Sequence, residues 1–193
     1  MFGASPIKPQ EFERPVLELS GDILRAALQA MVAGSEDHGG IERYIDAVKL
    51  KSTMFRQALV ENDVAELDLE TFKGLCTFMA TVRRRIGRWL NEDSFTELRE
   101  GIVELFDDSV HVDERVGRFC DRFPNDKKHR WVKDLAAELL HNADPERVPL
   151  MNRWVWDAKS NTGVVREVWY GDDVDHIKIP VADGYGTYIM LRE

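Results

Sequence analysis

Four arginines lie close together near the middle of the chain, at Arg83, Arg84, Arg85 and Arg88. Guanidinium groups bind phosphate and carboxylate groups through paired hydrogen bonds, so this cluster is a candidate anion site. The alternative is that these cations lie at the end of a helix and complement its dipole. Consecutive arginines also point to different sides of a helix and therefore do not line one face. Nucleic-acid binding through this cluster is the third and least favoured function, because the formal net charge is −9.

The last quarter of the chain concentrates aromatic and basic side chains. Trp, Tyr and Arg carry much of the binding energy in protein interfaces, so this region is a candidate contact surface. The alternative is that the large aromatic residues pack a small C-terminal element onto a helical body. The predicted surface residues are Arg147, Arg153, Trp154, Trp156, Arg166 and Trp169.

His141 ends a helical pattern and is the best candidate for a general base. A carboxylate such as Asp144 or Asp157 would have to orient it. Without one, a histidine at this position caps the last carbonyls of the helix. The second functional hypothesis is an enzyme or small-ligand binder, with a pocket between the helical body and the C-terminal element near His141, Arg153 and Trp154.

An acidic segment with one histidine contains Asp107, Asp108, His111, Asp113 and Glu114. Carboxylate and imidazole groups can hold a divalent metal, but the spacing matches no known ligand pattern. Aspartates between two helices are more often caps. We therefore predict no metal site, and no cofactor.

Apolar residues recur at helical spacing in six segments and predict the body of the protein. The third, from Asp68 to Leu90, has the widest apolar face and is expected at the centre. Ser94 and Glu97 predict a capping box at the start of the fourth. The predicted ranges are 20–34, 41–62, 68–90, 94–106, 113–123 and 127–141.

The C-terminal residues follow a different pattern. Residues 176–181 alternate as in a half-buried strand, residues 182–186 suit a hairpin turn, and residues 187–191 suit the partner strand. Segments 151–158 and 164–170 fit helix or strand equally well. The predicted fold is mainly α, an antiparallel bundle of about six helices with a small β-hairpin-containing element. Its parts are an extended arm (1–19), a helical domain (20–143) and a small α+β element (144–193).

The amino-acid composition limits the classes to which this protein can belong. Hydrophobic residues make up 44% and charged residues 32%, which is typical of a globular protein. Cys76 and Cys120 both lie in apolar helical patterns, which favours buried free thiols. No apolar run reaches the length of a membrane span and the start lacks a secretion signal, so a cytoplasmic location is expected. The favoured function is a non-catalytic protein-interaction or regulatory protein with a protein partner.

Overall fold

The computed structural model describes residues 21–167 and 178–192, and it is mainly helical, as the sequence predicts. Among these residues, no helix combines the length and the apolar composition needed to cross a bilayer. The helices are α1 Gly21–Ser35, α2 Gly40–Arg56, α3 Leu69–Thr77, α4 Glu92–Leu105, α5 Val112–Asp121, α6 Trp131–Ala143, α7 Val164–Glu167 and α8 Tyr185–Arg192. The predicted arm at residues 1–19 lies outside the described residues.

The helix at the centre of the fold is α6, not the third predicted helix. Helices α2, α4 and α5 all contact it, and its residues Trp131, Leu135 and Leu139 are at most 1% exposed. A helix packed on several sides needs apolar residues around most of its circumference. α6 meets that demand with alanines and leucines between its polar positions.

The long helix predicted from Asp68 to Leu90 is wrong in its second half. Helix α3 ends at Thr77, and successive turns lead to a short 3₁₀ helix at Ile86–Trp89. Met79, Val82 and Ile86 are fully buried all the same. These turns bury the same residues that a continuous helix would bury, so the apolar spacing predicted burial correctly and helix wrongly.

Capping residues define where helices begin, and the structure corrects one of the predicted caps. The predicted capping box at Ser94 is wrong, because α4 begins at Glu92 and the side chain of Asn91 accepts a hydrogen bond from the Ser94 N–H. At α3 the predicted boundary holds, since the carboxylate of Asp68 accepts from the Thr71 N–H at 2.8 Å. Both residues satisfy backbone donors that the first turn leaves free.

The first two helices form a hairpin that is joined by a short 3₁₀ turn, Glu36–His38. The turn ends at Gly39, whose φ of 97° lies in the left-handed region that glycine adopts without strain. Helix α2 then runs to Arg56 and continues as a π turn to Glu61. Its C-terminal part packs on α6, while its N-terminal part extends beyond the body with α1.

A polar network ties α2 to α6. The Lys51 ammonium lies 2.7 Å from the carboxylate of Glu138, whose side chain is 9% exposed. The side-chain amide of Asn142 also donates to this carboxylate, and the Ser52 hydroxyl donates to the backbone carbonyl of Asn142. The buried Glu138 thus receives both a cation and a neutral donor, which offsets its loss of hydration.

The predicted β-hairpin is wrong. Residues 178–192 contain no strand, and residues 185–192 form helix α8. The carboxylate of Asp113 accepts the Tyr185 N–H at 2.7 Å at the start of this helix. Tyr188 is 2% exposed and its hydroxyl donates to the Trp156 carbonyl at 2.6 Å. These contacts with distant parts of the chain favour helix over the strand that the local sequence suggests.

Of the two segments that the sequence left open between helix and strand, residues 151–158 form turns. The other begins as helix α7, Val164–Glu167, and residues 168–170 lie outside the described residues. In residues 151–158 the structure has no regular element, and an isolated β-bridge joins Asp157 to Thr162. Gly163 follows with a φ of 131°, and a Cβ there would lie 2.5 Å from the Val155 carbonyl oxygen. The chain therefore turns back sharply at a position where only glycine fits. The division into a helical domain and a C-terminal element stays a prediction.

Replacing Lys51 by alanine should destabilise the fold because it leaves the Glu138 carboxylate buried without its cation. We expect a loss of ~1.5–3 kcal/mol in the free energy of unfolding, the range for hydrogen bonds to charged groups. Urea denaturation near neutral pH measures it.

Lys49→Ala is the matched control, since Lys49 lies on the same helix and is exposed. It should change the stability by no more than ~0.5 kcal/mol. Equal losses in the two variants would show that the Lys51–Glu138 contact does not hold α2 on α6.

Candidate functional site

The two tryptophans at the centre of the predicted contact surface lie in different environments. Trp156 is fully buried, and its indole N–H donates to the Val181 carbonyl at 3.0 Å. Trp154 is 62% exposed. Trp156 therefore packs the C-terminal segment onto the body, and Trp154 remains available to a partner. Trp169 lies outside the described residues.

Arg153 binds a carboxylate of its own chain. Its Nε lies 3.1 Å from Oδ1 of Asp134, and its Nη2 lies 2.6 Å from Oδ2. Asp134 is 1% exposed, so the fork of the guanidinium closes over a buried charge. The hydrogen bonds from Arg153 to Asp134 raise the pKa of the arginine above its ordinary value. This pair is a structural tie between α6 and the turn that follows it.

The remaining two arginines of the predicted surface also contact the chain itself. Arg147 is exposed and lies 3.5 Å from a carboxylate oxygen of Asp108 and 3.6 Å from one of Asp144. Exposed pairs of this kind contribute little to stability. Arg166 donates from Nη1 to the Asn161 carbonyl at 3.0 Å. The structure therefore does not gather the predicted arginines around one ligand position.

His141 is oriented by a backbone carbonyl rather than by a carboxylate. Its Nδ1 lies 2.8 Å from the Val148 oxygen and therefore carries a hydrogen. Asp144 instead accepts from the Arg147 N–H, and Asp157 accepts from the N–H and hydroxyl of Ser160. The histidine joins the end of α6 to the turn at residues 144–149. This contact serves the fold and lies beyond the helix carbonyls that the capping hypothesis invoked.

A cavity of about 400 Å³ lies between α5, α6 and residues 182–184. His141, Arg153 and Trp154 do not line it. One wall carries the ion pair between Lys133 and Asp183, 2.6 Å apart. Burial raises the pKa of the Cys120 thiol in this cavity to about 11, so the thiol is protonated near neutral pH and a poor nucleophile.

The arginine cluster lies on the turns that follow α3, at residues 83–85, and in the short 3₁₀ helix Ile86–Trp89, which holds Arg88. Arg83, Arg84, Arg85 and Arg88 are all exposed, and none forms an ion pair with the residues that the structure describes. Arg83 donates one hydrogen bond to the Thr77 carbonyl. Phe78, 45% exposed, lies on the same segment. The helix-end explanation therefore holds for Arg83 alone, since Thr77 is the last residue of α3, and Arg84, Arg85 and Arg88 remain available to an anionic ligand.

The acidic segment between α4 and α5 forms caps and an ion pair. Asp107 accepts from the hydroxyl and N–H of Ser109, and these hydrogen bonds lower the pKa of its carboxyl group. Asp108 pairs with Arg115 at 2.9 Å. The N-cap of α5 is His111, whose Nδ1 accepts from the Asp113 N–H. Within the described ranges, no three His, Cys, Asp or Glu side chains are placed to hold a metal ion.

One exposed apolar surface was missed by sequence reasoning. It lies on α1 and the N-terminal part of α2, and we call it the hairpin surface. Its side chains are 44–63% exposed: Leu24, Leu28, Met31, Val32, Tyr44, Ile45 and Val48. These residues lie within the predicted helices 20–34 and 41–62, but periodicity does not tell whether an apolar helix face is covered by its own chain or by another.

Comparison with models of known protein families, with curated proteins and with solved structures finds no match to this chain.

Substitution of the two tryptophans tests whether Trp156 is a core residue and Trp154 a surface residue. Trp156→Ala should lower the free energy of unfolding by ~3–5 kcal/mol, because it removes a buried ring and leaves a cavity. Trp154→Ala should change it by no more than ~0.5 kcal/mol. Urea denaturation of both variants, with Trp156→Phe as a ring-retaining control, measures the difference. Similar losses in both alanine variants would contradict these assignments.

Proposed function

We propose that the chain is a non-catalytic protein-interaction protein whose main contact surface is the hairpin surface. The observation that carries the proposal is its exposure. Seven large apolar residues are each 44–63% exposed and together present on the order of 600 Å² over all their atoms, the size of the largest patch on a typical monomer (~300–600 Å²), which is often functional. Covering such a surface removes apolar area from water and so favours association.

The groups considered for catalysis support a binding function rather than a reaction. Arg153 neutralises the buried Asp134, and His141 donates to the Val148 carbonyl. Both side chains are held by the chain's own structure, so a substrate would have to displace stabilising contacts to use them. Displacing Arg153 would leave a buried carboxylate without its cation, which is strongly destabilising.

Trp154 is the second contact that we assign to this function. It is the part of the predicted C-terminal Trp and Arg surface that is both aromatic and exposed in the described residues. An exposed indole offers a large, rigid area at low entropic cost, and tryptophan is enriched among binding hot spots. The proposal also assigns the chain to the cytoplasm, where free thiols such as Cys76 and Cys120 stay reduced.

The hairpin surface is tested by a pair of substitutions on opposite sides of α2. Val48 and Leu50 are 63% and 60% exposed, but two residues along a helix point in nearly opposite directions. Val48→Glu should weaken binding to a co-purifying protein by ~2 kcal/mol or more, as loss of a hot spot does. Leu50→Glu should leave binding intact.

Both variants should fold, with stabilities within ~0.5 kcal/mol of the wild type, since each site is exposed. Affinity capture from the native cell, followed by binding measurements on the purified pair, gives the comparison. If Val48→Glu unfolds the protein or binds as well as the wild type, the hairpin surface is not a contact surface.

A second candidate function is binding of a nucleic acid through the arginine cluster, because its four exposed cations lack ion-pair partners among the described residues. The exposed Phe78 adds a ring on which a base can stack. The net charge of −9 opposes this function, since the chain as a whole repels a polyanion.

Arg84→Ala combined with Arg88→Ala tests the second candidate. The double variant should bind single-stranded nucleic acid more weakly and with a flatter salt dependence, because fewer counterions are released on binding. Fluorescence anisotropy across a salt series measures both. Arg25→Ala combined with Lys49→Ala removes two exposed cations elsewhere and should have little effect. A wild type without salt-sensitive binding would exclude this function.

A further inference from the structure

We infer that the partner of the hairpin surface is a second copy of this chain, so that two hairpins pack together in a symmetric dimer. This inference rests on the proposed function and names its partner. It is carried by three features of α1 and α2: the continuity of the apolar face, the area that it presents and the balance of its charges.

The apolar face of α2 continues past the edge of the body. Phe55 and Leu59 lie on this face and are at most 2% exposed where α2 packs on α6. About two to four turns earlier, on the same side by helical spacing, Ile45 and Val48 are 45% and 63% exposed. The same face is therefore covered at one end by the chain itself and left without cover at the other.

Helix α1 contributes a second apolar row beside the first. Leu24, Leu28 and Met31 recur at helical spacing and are 47–61% exposed, although α1 contacts α2. Two helices of a hairpin, each with an uncovered apolar row, supply half of a four-helix arrangement. A second hairpin of the same kind supplies the other half.

The area agrees with what a stable dimer requires. The seven residues of the hairpin surface present on the order of 600 Å² on each copy, which approaches the ~800 Å² per partner of a standard protein interface. Homodimer interfaces are also more apolar than other contacts between proteins. Exposed polar residues on the flanks of both helices, such as Gln29 and Lys49, would add to the buried area at its rim.

The charges of the hairpin allow it to meet a copy of itself. Helix α1 and the part of α2 up to Leu50 hold three acidic residues, Asp22, Glu42 and Asp46, and three basic residues, Arg25, Arg43 and Lys49. The turn between them adds Glu36 and Asp37, so the hairpin carries −2 of the chain's net charge of −9, and most of the excess negative charge lies outside it. A two-fold contact brings identical patches together, and a patch of one sign would repel itself.

The test uses the full chain and its matched variants in analytical ultracentrifugation over micromolar to submillimolar concentrations. The wild type should sediment with twice the 22.2 kDa mass of one chain. Val48→Glu should weaken the dimer by roughly 100-fold or more, because two-fold symmetry introduces the charge twice into one interface. Leu28→Glu should act alike from α1, and Leu50→Glu should leave the dimer intact.

Three outcomes would overturn the inference. A wild type that sediments with the mass of one chain does not self-associate. The hairpin surface would then have to be covered by residues 1–20 or by a different protein. A dimer that survives both Val48→Glu and Leu28→Glu has its interface elsewhere. Equal weakening by Leu50→Glu would show a general effect of charge.

The experiments distinguish failure of the dimer from failure of the proposed function. A monomeric wild type overturns the dimer only, because a different protein can still require Val48. A folded Val48→Glu variant that keeps its partner overturns the hairpin surface as a contact, whatever the mass of the wild type. Circular dichroism of every variant establishes that each one is folded before it is compared.

Discussion

The fold depends on how α6 satisfies its polar residues while buried by its neighbours. Asp134, Glu138 and Asn142 recur every fourth residue and are 1–7% exposed. Asn142 donates to Glu138 within α6. A buried charge without a partner costs several kcal/mol, so Asp134 and Glu138 must each receive a cation from another part of the chain. Asp134 receives Arg153 from the following turn, and Glu138 receives Lys51 from α2.

These polar contacts also specify where the other segments can pack. An apolar helix face accepts a neighbour in several registers, whereas a carboxylate that needs one guanidinium accepts only one. Asp134 places Arg153, and the neighbouring Trp156 then reaches the Val181 carbonyl. The C-terminal segment is therefore held by a short series of directed contacts, with Tyr188 donating to the Trp156 carbonyl at its end.

A structural feature could be predicted from the sequence where contacts between nearby residues determine it. It could not be predicted where contacts between residues far apart in the sequence determine it. Helices with their own caps, such as α3 with Asp68, could be placed closely because the deciding hydrogen bond lies within four residues. Helix α8 could not, since its start depends on Asp113 and its burial on Asn152 and Trp156, far away in sequence. Local alternation at residues 187–191 favoured strand, and tertiary contacts overrode it.

The candidate site could be predicted by residue type but not by role. Arg153 has the chemistry to bind a carboxylate and does so, but the carboxylate belongs to Asp134. A sequence does not reveal whether a guanidinium will meet a ligand or its own chain. The exposed surface of α1 and α2 is the converse case, because its residues follow the pattern of a buried core and yet lie on the surface. Leu28 and Val48 repeat as core residues do, and only the position of the hairpin relative to α6 leaves them uncovered.

The same physical rule accounts for the buried and the exposed ends of α2. Apolar side chains leave water wherever a complementary surface is within reach, and α6 reaches only the C-terminal part of α2. Beyond α6, Ile45 and Val48 keep the pattern of a buried face without anything described to cover it. A chain whose excess negative charge lies mostly elsewhere can bring two such faces together without strong repulsion. The hairpin is therefore the part of this molecule whose packing is completed by association.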